Sequence, residues 1–283
     1  MKSVLAVILL VGMTIPARAQ TAQAGGDAIE PYRLIGNIYY VGTASISSFL
    51  IQTSEGLVLI DTGYERMVPG IRASIEKLGF RIQDVKIMLS SHSHIDHVEG
   101  HAAMQKLTGA QIMAVGEDAA AIAGGFDNSA LGMGKWTPAR VDRVLKDGEI
   151  VTLGDVHLQA HLTPGHTKGC TTWTTTVQEA GRTYRVVFVG GISINGGVTL
   201  LDNARHPTIA DDYARTFRTL KELNADVFLA QHPNIFGMAG KLESLKAKPA
   251  TNPFIDPEGY RRAVEQAEAR YQKQLAEERA ARR

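Results

Sequence analysis

The chain has 283 residues, with 30 lysines and arginines against 29 aspartates and glutamates, so its formal charge at pH 7 is +1. That near-balance argues against nucleic acid or an anionic membrane as the main partner. Cys170 is the only cysteine, which excludes an intrachain disulfide and leaves stability to packing and to bound groups.

The first residues read as an export signal. Lys2 supplies a positive start, residues 4–11 form an apolar run too short to span a bilayer, and Ala17-Arg18-Ala19 is a small-x-small cleavage pattern. Cleavage after Ala19 is expected, leaving residues 20–283 as one mature domain with no membrane attachment. Losing Lys2 and Arg18, and no acid, turns the net charge from +1 to −1.

Short apolar strands are predicted at 38–41, 48–52, 57–60, 85–89, 111–115, 156–162, 171–177, 184–189 and 227–230. Helices are predicted at 68–78, 98–107, 117–123 and 210–223. A long last helix at 258–280 carries Tyr260, Val264, Ala267, Tyr271 and Leu275 along one face. No Pro- or Ser-rich linker interrupts this alternation, so the pattern is that of a single α/β domain. Residues 124–137, rich in Gly, Asn and Met, read either as a mobile loop or as an ordinary connection.

The chemistry concentrates in His92-Ser93-His94-Ile95-Asp96-His97, directly after the strand at 85–89. In extended backbone His92 and His94 point to one side and can converge on one cation. Asp96 and His97 follow where the chain turns towards a helix, aimed at an adjacent position. Imidazole nitrogen with carboxylate oxygen suits Zn²⁺ better than Ca²⁺ or Mg²⁺. Two more histidines sit at strand ends, where ligands gather in layered α/β folds: His166 in a Gly-rich turn and His232 directly after the strand at 227–230. His92, His94 and His166 make a three-histidine site with an open fourth position, and Asp96, His97 and His232 make a second. Two Zn²⁺ ions per chain are therefore expected. His101, His157, His161 and His206 lie in settings typical of surface or satisfied core positions and are left out.

With Asp61-Thr62-Gly63 upstream and His166 and His232 downstream, the cluster resembles that of the metallo-β-lactamase superfamily, over nearly the whole mature chain. The resemblance implies an αβ/βα sandwich: two sheets face to face, helices outside, and a dinuclear zinc site at one edge. It also implies Asp61 as a residue that supports a ligand without touching metal. Gly165-His166-Thr167-x-Gly169 followed by Trp173, Asp147-Gly148, Asp212-Tyr213-x-x-Thr216-Phe217 and Asn252-Pro253-Phe254-Ile255 resemble the third subclass of class B β-lactamases. Where thioester- and lactone-hydrolysing relatives carry a metal-bridging Asp, and the first lactamase subclass a Cys, this chain has Gly191. The third subclass often has serine there; Ser193 two residues on is the alternative contact for a substrate carboxylate, while Lys168 reads as a solvated lysine and Cys170 as a small buried thiol.

These features imply a periplasmic, monomeric zinc enzyme that opens the β-lactam ring of penicillins, cephalosporins or carbapenems, with Asp96 orienting or deprotonating the attacking water. Leu131 and Trp136 are the expected pocket residues. The alternatives are a lactone or thioester hydrolase of the same superfamily and, from another class, an exported zinc-binding module. The second conflicts with six ligands that leave positions open, since structural zinc sites are closed by four protein ligands.

Overall fold

A computed structural model describes residues 26–282; the expected signal peptide lies outside them. Two sheets dominate. The first orders its strands as β1 (Tyr32–Ile35), β2 (Ile38–Tyr40), β3 (Phe49–Thr53), β4 (Gly56–Ile60), β5 (Val85–Leu89), β6 (Gln111–Val115) and β7 (Val141–Leu145), antiparallel as far as β4 and parallel beyond it. The second runs from β8 (Ile150–Leu153) through β9 (Val156–Leu162), β10 (Thr171–Glu179) and β11 (Arg182–Val189) to β12 (Val227–Ala230), with only the β11–β12 pair parallel.

Period-two alternation sorts the side chains of the first sheet into two layers. Phe49, Ile51, Val58, Ile60, Met113 and Val115 face the second sheet and share a core with Leu158, Trp173, Val187 and Val189. Their alternates Leu50, Leu57, Leu59, Ile112 and Ala114 pack outward against α1 (Val68–Lys77), α3 (His101–Thr108) and α4 (Gly116–Gly124). The second sheet is covered by α5 (Ile209–Glu222) and α7 (Pro257–Ala280), whose buried faces carry Tyr213, Phe217, Tyr260, Val264 and Tyr271. The result is the αβ/βα sandwich implied by the resemblance. Trp173 lies at its centre, wholly buried, and its indole N–H donates to the Ser90 carbonyl at 3.0 Å. Burying a side chain of that size contributes roughly 1.5–3 kcal/mol or more, and its polar tip is satisfied.

The register brings the chemistry-bearing turns together. Ile60 lies alongside Leu89, and Val189 alongside Ala230, in parallel pairs. Asp61 and Ser90 therefore leave the first sheet side by side, while Gly190 and Gln231 leave the second. Antiparallel pairing of Leu162 with Thr171 puts the turn at 163–170 on the same edge. Three backbone bonds bind that edge: Asp61 N–H to Leu89 C=O at 3.0 Å, Thr171 N–H to Ser91 C=O at 2.8 Å, and Ser47 N–H to Gln231 C=O at 2.9 Å.

Five elements depart from the sequence reading. The strands β1, β7 and β8 are unpredicted, and all three are sheet edges. In β7 only Leu145 is buried while Asp142, Arg143 and Val144 face solvent, so the strand lacks an apolar signature. α6 (Met238–Lys246) is likewise unpredicted, since Met238 is its one buried residue and it shows no apolar stripe. The helix expected at 98–107 is broken instead into α2 (Ile95–Val98) and α3 around Gly100. A β-carbon on Gly100 would stand 2.8 Å from the Thr62 carbonyl oxygen, so the Asp61-Thr62-Gly63 turn packs into the break. The 124–137 segment is an anchored connection. Asp127 accepts from the Ser129 and Met133 N–H groups, and the Arg205 guanidinium donates to the Ser129 and Asp127 carbonyls.

Candidate metal centre

The turn after β5 delivers His92 and His94, and α2 delivers Asp96 and His97. His166 projects from the β9–β10 turn and His232 from the end of β12. His92, His94 and His166 form a near-equilateral triangle, with ring centroids 4.8, 4.6 and 4.6 Å apart. His97 lies 4.2 Å from His92 and 5.0 Å from His232 by the same measure. One donor atom from each of His92, His94 and His166 falls within 4.8 Å of the others, and the same holds for His92, Asp96 and His97. His232 joins the second group through Asp96, whose carboxylate is 3.7 Å from its Nε2. The structure thus makes His92 the shared member of the two groups, which the residue spacing did not indicate.

The hydrogen bonds on the outer ring nitrogens fix which nitrogen faces the cluster. His166 Nδ1–H donates to the Ser193 carbonyl at 2.7 Å, and His232 Nδ1–H to the Ser45 carbonyl at 2.9 Å, because a carbonyl can only accept. His97 Nδ1–H donates to Asp61 at 3.1 Å. The Ser91 hydroxyl gives its proton to Asp61 at 2.6 Å, so at 3.0 Å it accepts from His92 Nδ1–H. Each of these four rings is left with Nε2 free for a cation. His94 is turned the other way, its Nε2 bonded to Ser129 Oγ at 3.0 Å, leaving Nδ1 free.

Electrostatics divide the cluster. Burial and the neighbouring imidazoles push His92 and His94 below the usual histidine value and His166 down to about 3, so all three stand neutral and ready to ligate. Burial acts the same way on His97, but the Asp96 and Asp61 carboxylates overcome it and raise this imidazole to about 10. Burial would raise Asp96, yet His97, His232 and His94 hold it well below the usual carboxylate range. The His97 Nε2 atom is buried without a hydrogen-bond partner, although Asp96 Oδ2 lies 3.3 Å away out of alignment. An orphaned buried nitrogen beside an ionised carboxylate and neutral imidazoles is the donor set a divalent cation fits.

Two carboxylates support these ligands. Asp61 adopts a left-handed backbone (φ 59°), a conformation aspartate tolerates better than most side chains. From there it binds the Ser91 N–H, the Ser91 hydroxyl and His97. The second, Asp118 on α4, has no counterpart in the sequence reading. It is fully buried and accepts from the Ser93 N–H at 2.8 Å, the Thr167 hydroxyl at 2.6 Å and the Gly169 N–H at 2.8 Å. Ser93 separates His92 from His94, and Thr167 follows His166, so one carboxylate joins both ligand-bearing turns. Burial raises it to about 6 despite these donors. Asp118 looks like any first-turn helix acid, so sequence carried no signal for it.

The remaining expected site residues are placed as follows. Ser193 is exposed, and its carbonyl accepts from both His166 and the Tyr213 hydroxyl. Leu131 is half-buried, its N–H donating to the Ser129 hydroxyl that touches His94. Trp136, expected to line the pocket, is instead buried in the outer core layer with Ala121 and Ile122, where its apolar ring leaves solvent, and its backbone N–H donates to the Gly125 carbonyl at 3.0 Å. Lys168 turns away to Glu117 at 3.3 Å. Cys170 is wholly buried, its sulfur accepting from the Gly191 N–H at 3.0 Å, and burial raises its thiol far above the usual range. A β-carbon on Gly191 would lie 2.2 Å from His166 Cδ2, so this backbone leaves no space for a side chain there. The set-aside His101 is a satisfied core residue between the Thr62 and Ser90 hydroxyls.

A sandwich with strand-end turns converging on open, histidine-rich cation positions defines a metal-dependent hydrolase. Residues 41–232 match the family model of the metallo-beta-lactamase superfamily, and the chain belongs to that superfamily. The FEZ-1 metallo-beta-lactamase from Legionella gormanii is 40% identical, with 89% of this chain and 97% of that one covered at a TM-score of 0.86. BJP-1, a subclass B3 metallo-beta-lactamase of Bradyrhizobium japonicum, is 37% identical over 92% and 99% of the two chains, also at 0.86. Among curated proteins, a hydroxyacylglutathione hydrolase of Maricaulis maris is 31% identical over 80 residues, 28% of this chain and 25% of that protein. The chain thus matches only about a quarter of that relative's length. Among the described residues no helix is long and apolar enough to cross a membrane.

Proposed function

We propose that the protein is an exported, periplasmic zinc β-lactamase holding two Zn²⁺ ions, one on His92, His94 and His166 and the other on Asp96, His97 and His232. The observation that carries this reading is the pair of open, ligand-lined positions combined with Gly191, which supplies no bridging carboxylate or thiolate. The similarity to FEZ-1 and BJP-1 across nearly their whole lengths supports it. Bound zinc supplies Lewis acidity for the lactam carbonyl and lowers the pKa of water from 15.7 to about 7.

The chain's own groups do the rest. Asp96, held ionised by His97 and His232, is 23% exposed at the mouth of the cluster, where it can orient the attacking water and take its proton. The Ser193 hydroxyl faces solvent beside His232 and can donate to the substrate carboxylate. Ser45, Ser91, Ser129 and Asp61 hold the imidazoles, so little reorganisation accompanies reaction. The buried Cys170 thiol is too shielded to act as a nucleophile.

Hydrolysis of a carbapenem by purified zinc-loaded protein, abolished by chelator and restored by zinc, is the expected result. Zinc-replete protein that turned over no penicillin, cephalosporin or carbapenem would refute the proposal. A parallel assay with a hydroxyacylglutathione thioester separates it from the other branch suggested by the short curated matches.

A further inference from the structure

Beside His232 the surface opens into a cavity of about 620 Å³. His232 and Ser193 line it, so it borders the metal centre. α7 also lines it, through Ala263, Gln266 and Arg270. These three recur at helical spacing, on the flank of the buried stripe Val264–Ala267–Tyr271.

Among the described residues Arg270 is the one lysine or arginine lining this cavity, and no aspartate or glutamate lines it. It makes no ion pair among the described residues, whereas its neighbours on α7 do. Arg261 pairs with Glu258, Lys273 with Glu277, and Glu268 with Lys221. The helix under it is also fixed relative to the metal ligands. Tyr271, the next residue, donates to the Ala210 carbonyl at 2.9 Å and packs 5.8 Å from the Tyr213 ring. Tyr213 in turn donates to the Ser193 carbonyl that holds His166, at 2.7 Å. A rigid chain of contacts therefore runs from the backbone at Arg270 to a cluster histidine. An uncompensated guanidinium on a fixed wall, with the Gln266 amide one turn before it, is a planar donor set suited to a carboxylate.

We propose that Arg270, with Gln266, is a specificity subsite for an anionic substituent of the substrate, a carboxylate carried outside the ring that is opened. The proposal rests on the β-lactamase reading above. Benzylpenicillin and carbenicillin differ by one side-chain carboxylate and make the direct probe. In Arg270→Gln, the ratio of KM for carbenicillin to KM for benzylpenicillin rises about fivefold over the parent, the upper range of an exposed ion pair. It rises further in Arg270→Glu, through repulsion, and the kcat ratio stays constant. The effect shrinks in high salt because the cleft is open to solvent. An unchanged KM ratio in both variants overturns the proposal. Should the parent protein hydrolyse neither penicillin, this pair gives no readout, and the lactamase reading itself fails only when cephalosporins and carbapenems are spared too. Glutarate binding measured by calorimetry then decides: weaker binding to Arg270→Gln than to the parent sustains the subsite, and equal binding removes it.

Discussion

Asp118 is the most informative residue to perturb, because it links both ligand-bearing turns while touching neither metal position. Replacing it with Ala strands three buried donors, from Ser93, Thr167 and Gly169. At about 1–3 kcal/mol each, the loss is comparable with the whole stability of a typical domain, about 5–15 kcal/mol. Asp118→Asn separates folding from function. Its amide oxygen keeps Ser93 and Thr167, and its NH₂ then meets the Gly169 N–H, an unfavourable contact of about 1–3 kcal/mol. Against this, the substitution removes a buried charge. The carboxyl is raised from 3.8 to about 6, so the folded state binds more protons than the unfolded one within that window. Stability contributed by Asp118 is therefore full below pH 3.8, falls as pH rises to 6, and is least above it, by roughly 3 kcal/mol. The two effects nearly cancel at pH 7, so Asp118→Asn unfolds in urea close to the parent midpoint. Zinc affinity falls, by about 10–100-fold, since the turn carrying His166 loses its Gly169 anchor and the bonds to Ser93 and Thr167 lose the carboxylate charge that strengthens them. Urea denaturation of the metal-free proteins and competition with a chromophoric zinc chelator measure the two separately. Parent-like zinc affinity in Asp118→Asn would show that the carboxylate serves folding alone and refute the reasoning.

Gly191→Ser installs the residue common in the third subclass, yet here its β-carbon would enter the His166 ring, 2.2 Å from Cδ2. Zinc affinity and kcat should both drop at least tenfold, and a fully active variant would mean that the Gly190-Gly191 backbone shifts freely. His101 has the opposite pH sign to Asp118: burial lowers it from 6.5 to about 4, so its contribution is complete above pH 6.5 and drains away as pH falls towards 4, by roughly 3 kcal/mol. His101→Gln should be less stable than the parent at pH 7.5, and urea midpoints at pH 4.5 should show the gap narrowed; a gap independent of pH would contradict this.

The residues themselves determined the chemistry. His92, His94, Asp96 and His97 within six residues, joined by His166 and His232 at strand ends, pointed to a cation site, because few other arrangements set imidazoles and a carboxylate so close together. The interior strands β4, β5, β6 and β11 were legible as apolar runs, and so was β12, a sheet edge whose four residues are nonetheless all buried. The edges β1, β7 and β8 were not, since an edge strand shows solvent its polar residues. Tertiary structure alone decided the rest. Asp118 meets partners 25 to 51 residues away, so nothing local marks it. The burial of Trp136, the sharing of His92 between two ligand groups and the placement of Arg270 on the same cavity as His232 likewise depend on packing between distant segments. Side-chain chemistry can be read along a chain, but which groups face one another is set only when the two sheets close.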